Sequence, residues 1–570
     1  MESRLASAAL IVVFATYLFL GAVGLTGRGM TDTADHAYNR LSRGLLSGHL
    51  YADKPVPPGL ERLPDPYDPR ANEVYRMGAP DLVHDFSYYK GRLYLYFGVA
   101  PALLVFIPWH MLTGMWLAHW VAVAGLCAAG LLVNLSLFLS IRAALFADSP
   151  PWMPAVAVLI MGLGSYAPIL LARADMWEVP IAFSYLGTSV ALRCLWEALG
   201  RPGAAGRWLA LASLAMGAAF AARPTVLPNA AILLIPFLCA DIRRSGRAWA
   251  GVVIPLGACG AAVALYNALR FGSPLDFGQR YQLAAEYVSR VRLFSPGFLR
   301  PNLKLYLFQA VAWRKYFPFA SEPPLAALPA HHGEVEHISG ALLNAPVLWA
   351  GIALAFLVGT FRRDRRFVMI AACAAWIAAS SLVLMSLFFG ICSRYQFEFL
   401  PALSLLAALG VMAAEGALNG TARAALRCLW IPALALSATF PVLYGIDRCI
   451  VDHNAAALLD LSRGNLRDAN NEVDLVRSLA PGDPFYRIES GVILVAAGRT
   501  AEAGDVFTGV VRDFPGDALA RFNLAHVLEN EGHIPEAIVQ YREALRLAPD
   551  SAAIRAGLDA VLARAGKGTP

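Results

Sequence analysis

Charge is scarce in this chain. Asp, Glu, Lys and Arg supply 15% of its 570 residues while 58% are hydrophobic, whereas soluble globular proteins carry roughly 25% charged residues. That balance excludes an ordinary soluble domain, and long apolar runs recur up to about residue 446. Lys and Arg fall in short clusters between those runs, so the net charge of +6 builds no basic face for nucleic acid and reads instead as cytoplasmic loops. Cysteine is sparse too. The eight residues at 127, 194, 239, 259, 373, 392, 428 and 449 lie mostly inside apolar runs, with neither metal nor disulfide spacing, and read as small membrane-core residues.

The apolar runs read as eleven spans, at 5–25, 116–140, 153–172, 177–199, 208–223, 225–240, 249–268, 345–361, 367–390, 399–417 and 428–446. Each lies near the ~20 residues a crossing helix needs, though several are short. The first is expected to be an uncleaved anchor, because GLTGRGM offers no small-x-small cleavage site. The N-x-S/T matches at Asn134 and Asn419 fall in or under the membrane and carry no glycan. The basic stretches RPGAAGR (201–207), DIRRSGR (241–247), FRRDRR (361–366) and TARAALR (421–427) are separated by even numbers of spans, which puts all four on the cytoplasmic side. YFGVAPALLVFIPWHML (96–112) must then not cross, or every later basic loop would invert. It holds two prolines and is expected to dip into the bilayer and return. Eleven crossings put the C-terminus outside, together with loops 26–115 and 269–344 and the turns ARADMWE (172–178) and SRYQFEF (393–399).

After Val451 the composition changes to alternating apolar and charged residues with a period of 34. Gly464, Gly498 and Gly532 keep that step, as do Ala469, Ala503 and Ala537, and Pro481, Pro515 and Pro549. Val473, Phe507 and Tyr541 fill a matching apolar slot. The pattern over 451–570 resembles the tetratricopeptide repeat, which implies a short α-solenoid that binds a protein partner or acceptor, or serves as a packing module.

The segment TDTADHAYNRLSRGLLSGHLY (31–51) places Asp32 and Asp35 where the first span leaves the membrane. Asp35-His36-Ala37-Tyr38, followed by Gly48, is similar to the "DE-x-Y…G" region of the GT-C glycosyltransferases. YYKGRLYLYFGVAP (88–101), with Lys90 and Leu93, is similar to their "K-P-P-L" juxtamembrane segment, and AFAARPT (219–225) and YNALRFGSPLDFGQRY (266–281) resemble motifs of bacterial members. His36 stands in place of the usual Glu, and Gly91-Arg92 in place of Pro-Pro. The resemblance covers about residues 5–446. It implies an all-α, polytopic helix bundle over 1–446 in the cytoplasmic (inner) membrane, which moves a sugar from a polyprenyl-phosphate carrier to a protein or glycan acceptor on the outer face.

That chemistry needs a base for the acceptor hydroxyl and cations for the departing phosphate. Asp35 is expected as the base, with Asp32, Asp175 and Glu178 as supporting acids. Arg394, Lys90, Arg223 and Arg280 are expected on the phosphate, and Tyr38, Tyr88 and Tyr89 against the sugar or acceptor. A divalent cation, Mg or Mn, would bridge Asp35 and Asp175. Three of these residues also have a plainer reading. Asp35 would cap the helix 36–47, Arg394 would pair with Glu398, and Arg223 would snorkel to the interface. HHGEVEH (331–337) has zinc-like content but is expected as a solvated loop. Two other functions compete. An oligosaccharide ligase or polymerase with a diphosphate-linked donor would use Arg280, Arg290 and His331. A non-catalytic scaffold would recruit partners through the repeats.

Overall fold

A computed structural model of the chain describes residues 2–24, 33–77, 83–325, 328, 332–333, 335–357 and 364–567. The chain divides into two compact units. The first comprises residues 1–312 and 321–445, and the second 313–320 and 446–570. The fold is all-α, and among the described residues strands are confined to a hairpin, Phe86–Tyr89 with Arg92–Leu95, and a few two-residue pairs. The boundary between Gly445 and Ile446 falls inside one continuous helix, Gly420–Ser462, not in a linker.

Among the described residues, eight helices are long and apolar enough to cross a membrane: Ser3–Val23, His119–Leu145, Glu178–Gly200, Pro202–Ala222, Gly246–Phe271, Arg365–Leu387, Leu400–Ala417 and Gly420–Ser462. By length and composition this is a multi-pass membrane protein. Four shorter apolar helices accompany them, and three fall where whole spans were expected. The expected span 153–172 is broken into Met153–Gly162 and Ala167–Leu171, because Tyr166 takes a left-handed backbone with φ of 67°. Pro224–Leu238 is wound as a 3₁₀ helix of 15 residues. At about 2.0 Å rise per residue it reaches about 30 Å, the hydrocarbon thickness, with fewer residues than an α-helix needs. Pro346–Phe356 is the third. The fourth, Ala102–Thr113, is the segment expected to dip. Its first turn is π-wound, and twelve α-type residues reach only about 18 Å, too short to cross.

Contacts bring the basic loops to one end of this unit. The Arg366 guanidinium lies 5.1 Å from the Trp196 ring and that of Arg427 5.4 Å from Trp152. Trp152 in turn meets Trp430. Arg427 also forks onto Glu415.

The second unit contains the helices Leu466–Leu479, Pro484–Ala496, Thr500–Asp513, Ala518–Asn530, Ile534–Leu547 and Ala552–Lys567. The 34-residue period has a direct backbone cause. Gly464, Gly498 and Gly532 take φ of 78°, 76° and 85°, the left-handed turn that only glycine adopts cheaply. Ala469, Ala503 and Ala537 are fully buried, and Val473, Phe507 and Tyr541 are at most 1% exposed. The small residue lets paired helices approach and the large one fills the layer between them. Asp483 and Asp517, also one period apart, cap Pro484–Ala496 and Ala518–Asn530 through the amides of Phe485 and Ala520.

Candidate functional site

The turn before Glu178–Gly200 organises the site. Arg173, Asp175, Trp177 and Glu178 lie within it, and each faces a different neighbour. The Asp175 carboxylate takes the amide of Met176 at 2.7 Å and meets His119 Nδ1 at 2.8 Å. His119 Nε2 accepts the Tyr38 amide at 3.4 Å, so its proton sits on Nδ1 and points at Asp175. The His36 ring lies 4.6 Å from that of His119, and His36 Nδ1 accepts the His119 amide. Burial would raise the Asp175 carboxyl. The hydrogen bond from His119, the electrostatic pull of the His119 and His36 rings and the Met176 amide outweigh it and hold the group at about 2. Asp175 thus ties the first loop to the start of His119–Leu145. His119, which makes this tie, had no signal in the sequence beyond a lone histidine at the edge of an apolar run.

Glu178 is buried, and its Oε2 accepts the Asp175 amide at 3.0 Å. Its Oε1 lies 4.0 Å from Arg394 Nη1. Arg394 Nη1 also donates to Glu336 Oε2 at 2.6 Å, and Glu336 Oε1 pairs with Arg173. One carboxylate therefore bridges two guanidinium groups. Both cations also flank Trp177, at 5.0 Å for Arg173 and 5.6 Å for Arg394. The Trp177 indole donates to Asp85 Oδ2 at 2.7 Å, and Gln282 donates to Asp85 Oδ1 at 2.6 Å. Arg223 joins from another direction. It pairs with Glu398 at 2.5 Å, and Thr225 donates to the second oxygen of that carboxylate at 3.0 Å. The Arg223 and Arg394 guanidinium groups each lie 5.4 Å from the same Tyr395 ring. Tyr96 stands within electrostatic range of Asp85, Tyr395, Arg223 and Arg394, so the two arginine groups share one neighbourhood. The three arginine side chains keep 11–26% of their surface. They are partly desolvated.

These contacts correct several sequence readings. Arg394 pairs with Glu336 and Glu178, not Glu398, because Glu398 is already held by Arg223 and Thr225. Arg223 is ion-paired and buried rather than snorkelling. HHGEVEH is no solvated loop over its described part. Val335–Glu336 pairs in parallel with Ile391–Cys392, which places Glu336 beside Arg394. His337 is buried against Tyr444, and His332 Nε2 bonds Asn302. His331 and Glu334 lie outside the described residues, as does Asp32. Asp35 does not cap Ala37–Leu46, whose N-cap is His36 without a side-chain bond. Its carboxylate is 42% exposed and sits 2.9 Å from Arg40 Nη2 and 3.7 Å from Arg43 Nη2.

Lys90 and Arg280 do not join the arginine group in any contact. Lys90 is exposed at the hairpin turn beside Tyr89, and Arg280 pairs with Asp276 at 2.7 Å. Arg290 lies over Tyr287. Tyr38 is fully buried, stacked 5.2 Å from Phe106 where the dipping segment packs on the first-loop helix, and so is closed to a sugar. The Tyr88 ring is also buried, and Tyr89 packs on Tyr281 and Phe271. Among the described residues no group of three or more His, Cys, Asp or Glu would hold a metal ion. The Asp35 carboxylate is engaged by arginines and the Asp175 carboxylate by His119 and Met176, so the expected Mg or Mn bridge does not fit them. All eight cysteines are free.

Comparison with known proteins is clear for the second unit. Residues 494–566 match the tetratricopeptide repeat family model, leaving out the first copy, the weakest in sequence. No curated protein matches the chain. Among solved structures, the chain is similar to ArnT from Cupriavidus metallidurans bound to undecaprenyl phosphate, at 15% identity over 89% of this chain and 79% of that one, with a TM-score of 0.37. It is also similar to the same protein in the apo state, at 14% identity over the same shares, with a TM-score of 0.39.

Proposed function

We propose that this protein transfers a sugar from a polyprenyl-phosphate donor to an acceptor hydroxyl on the outer face of the cytoplasmic membrane. The observation that carries the proposal is the convergence of Arg223 and Arg394 on Tyr395, with Arg173 sharing Glu336. Partly desolvated guanidinium groups suit a phosphate. Here they lie at the ends of apolar helices, where the headgroup of an isoprenoid lipid would rest. The carboxylates now paired with them are the ligands such a phosphate would replace.

In the reaction the acceptor oxygen forms a bond to the anomeric carbon as the bond from that carbon to the phosphate oxygen breaks. The acceptor proton passes to Asp35, and the electron pair leaves with the polyprenyl phosphate, whose added charge Arg394, Arg223 and Arg173 neutralise. A single displacement inverts the anomeric centre. The Asp35 carboxylate is 42% exposed, and Arg40 fixes its orientation by also bonding the Asp35 carbonyl at 2.9 Å. No step is assigned to a metal. By the parity of spans the repeats would stand on the outer side, where they would bind a protein acceptor or a partner.

The test uses the full chain in nanodiscs with polyprenyl-phosphate-linked mannose, glucose and aminoarabinose as donors. Asp35→Asn should lower turnover by about 10²–10⁴-fold while undecaprenyl phosphate still binds. Arg394→Ala should weaken that binding. Full turnover by Asp35→Asn, or unchanged phosphate binding by both Arg394→Ala and Arg223→Ala, would sink the proposal.

A further inference from the structure

A second cleft lies on the first outer loop, apart from the arginine group. It has a volume of about 590 Å³ and is lined by His49, Tyr51, Asp53, Lys54 and Arg92, with Gly44 at its base. Cavities of roughly 300–1,000 Å³ are the usual size for small-molecule sites. Three elements are fastened together to make it. The Ala52 amide donates to the Leu93 carbonyl of the hairpin at 2.9 Å, and the Asp53 amide to the Arg40 carbonyl of the helix Ala37–Leu46. Gly44 permits the close approach, since a Cβ there would lie 2.1 Å from the Tyr51 carbonyl oxygen. The hairpin turn that presents Arg92 runs through Lys90 and Gly91, at φ of 48° and 72°, the paired left-handed geometry of a tight two-residue loop.

The chemistry of the walls is specific. His49 and Tyr51 stack at 4.7 Å with planes 14° apart, and Arg92 lies 4.6 Å from the Tyr51 ring. The lining holds two cations, Arg92 and Lys54, whose ammonium lies 5.7 Å from the Phe86 ring, and one acid, Asp53, which Arg43 already engages at 3.1 Å. The cleft is therefore net cationic and carries a ring platform. Sugar C–H faces stack on such rings, and an acidic substituent would meet the cations. Arg43 then links the cleft to the reaction centre, because the same guanidinium lies 3.7 Å from Asp35. One side chain spans the distance between the cleft wall and the proposed base.

We propose that this cleft is the acceptor subsite and that it takes a saccharide bearing an acidic group, a carboxylate or a phosphate. The acceptor role rests on the transferase reading above, whereas binding of the acid rests on the cleft alone.

Isothermal titration of the full chain in nanodiscs tests both. Trigalacturonic acid and glucose 6-phosphate serve as acidic probes and maltotriose as the uncharged one. At least one acidic probe should bind, with affinity that falls with salt and exceeds that of maltotriose by about tenfold or more. Arg92→Ala and Lys54→Ala should each weaken it by roughly tenfold. Asp53→Asn should tighten it, and Arg394→Ala should leave it unchanged. The cleft is refuted if neither acid binds, if maltotriose binds equally well, or if Arg92→Ala and Lys54→Ala have no effect. Undecaprenyl phosphate, titrated into the same nanodiscs, should respond to Arg394→Ala and not to Arg92→Ala. Its failure to bind would overturn the transferase reading, and the acceptor role with it, without touching the acid-binding result.

Discussion

Replacing Arg223 should damage the protein in two separable ways. Arg223 and Glu398 form an ion pair whose side chains are 11% and 5% exposed, with contacts of 2.5 and 2.6 Å to one oxygen. Water screens such a pair little. Removing the cation strands a carboxylate whose remaining side-chain partner is the Thr225 hydroxyl. Breaking a buried pair from one side costs about 3–5 kcal/mol, while removing both charges together is often close to neutral. Arg223→Gln should therefore lower the unfolding temperature of the full chain, followed by tryptophan fluorescence in detergent. Glu398→Gln added to it should restore most of the loss. The same double variant should not recover undecaprenyl phosphate binding, because that needs the guanidinium itself. An unchanged unfolding temperature for the single variant would refute the buried-pair argument. Phosphate binding recovered by the double variant would refute the role of Arg223 in holding the donor.

Asp175 gives a pH signature. Its carboxyl is held at about 2, below its unfolded value, so it stabilises the fold above the unfolded pKa and loses that contribution as pH falls through about 2. A shift of this size is worth about 2 kcal/mol. Asp175→Asn should therefore be destabilised near neutral pH and converge with the parent in acid, in unfolding scans across pH 2–7. Gly44→Ala forces a Cβ to within 2.1 Å of the Tyr51 oxygen. It should cost about 1–3 kcal/mol and weaken acidic-probe binding at the cleft more than undecaprenyl phosphate binding, as read by titration. Phe507→Ala empties a site 1% exposed in the repeat core. It should cost about 3–5 kcal/mol, seen as loss of protease resistance over 451–570 with undecaprenyl phosphate binding retained.

Much of the fold was legible because it rests on local rules. The glycine period marks left-handed turns that no other residue takes as easily, and alternation of small and large residues fixes the repeat core. What could not be read depends on partners far away in the chain. Nothing near Ser165 and Tyr166 announces the helix break, and the apolar run 225–240 gives no sign of the 3₁₀ winding that holds Pro228 and Pro236. At the site, Arg394 and Arg223 stood out because a cation at an apolar boundary is costly without a partner. Their acids were less visible. Glu336 lay in a histidine-rich stretch that looked solvated, and Glu398 was assigned to the nearer arginine when the distant one holds it. Arg173 and Trp177 were part of a turn noticed for its acids. Asp35 was picked out by its place after the first span, but its neighbours Arg40 and Arg43 follow only from the turn of helix that carries them.

The segment Pro224–Leu238 acts as a ruler. Rewound as an α-helix, its 15 residues would shorten by about 7 Å, drawing Arg223 down toward the opposite rim. Pro228 and Pro236 stand against that change, since each lacks an amide hydrogen and its ring would strike the carbonyl four residues before it. The depth at which Arg223 stands is thus written into the winding of the stretch that follows it. Adding or deleting one residue there would move the arginine by about 2 Å, enough to part it from Glu398.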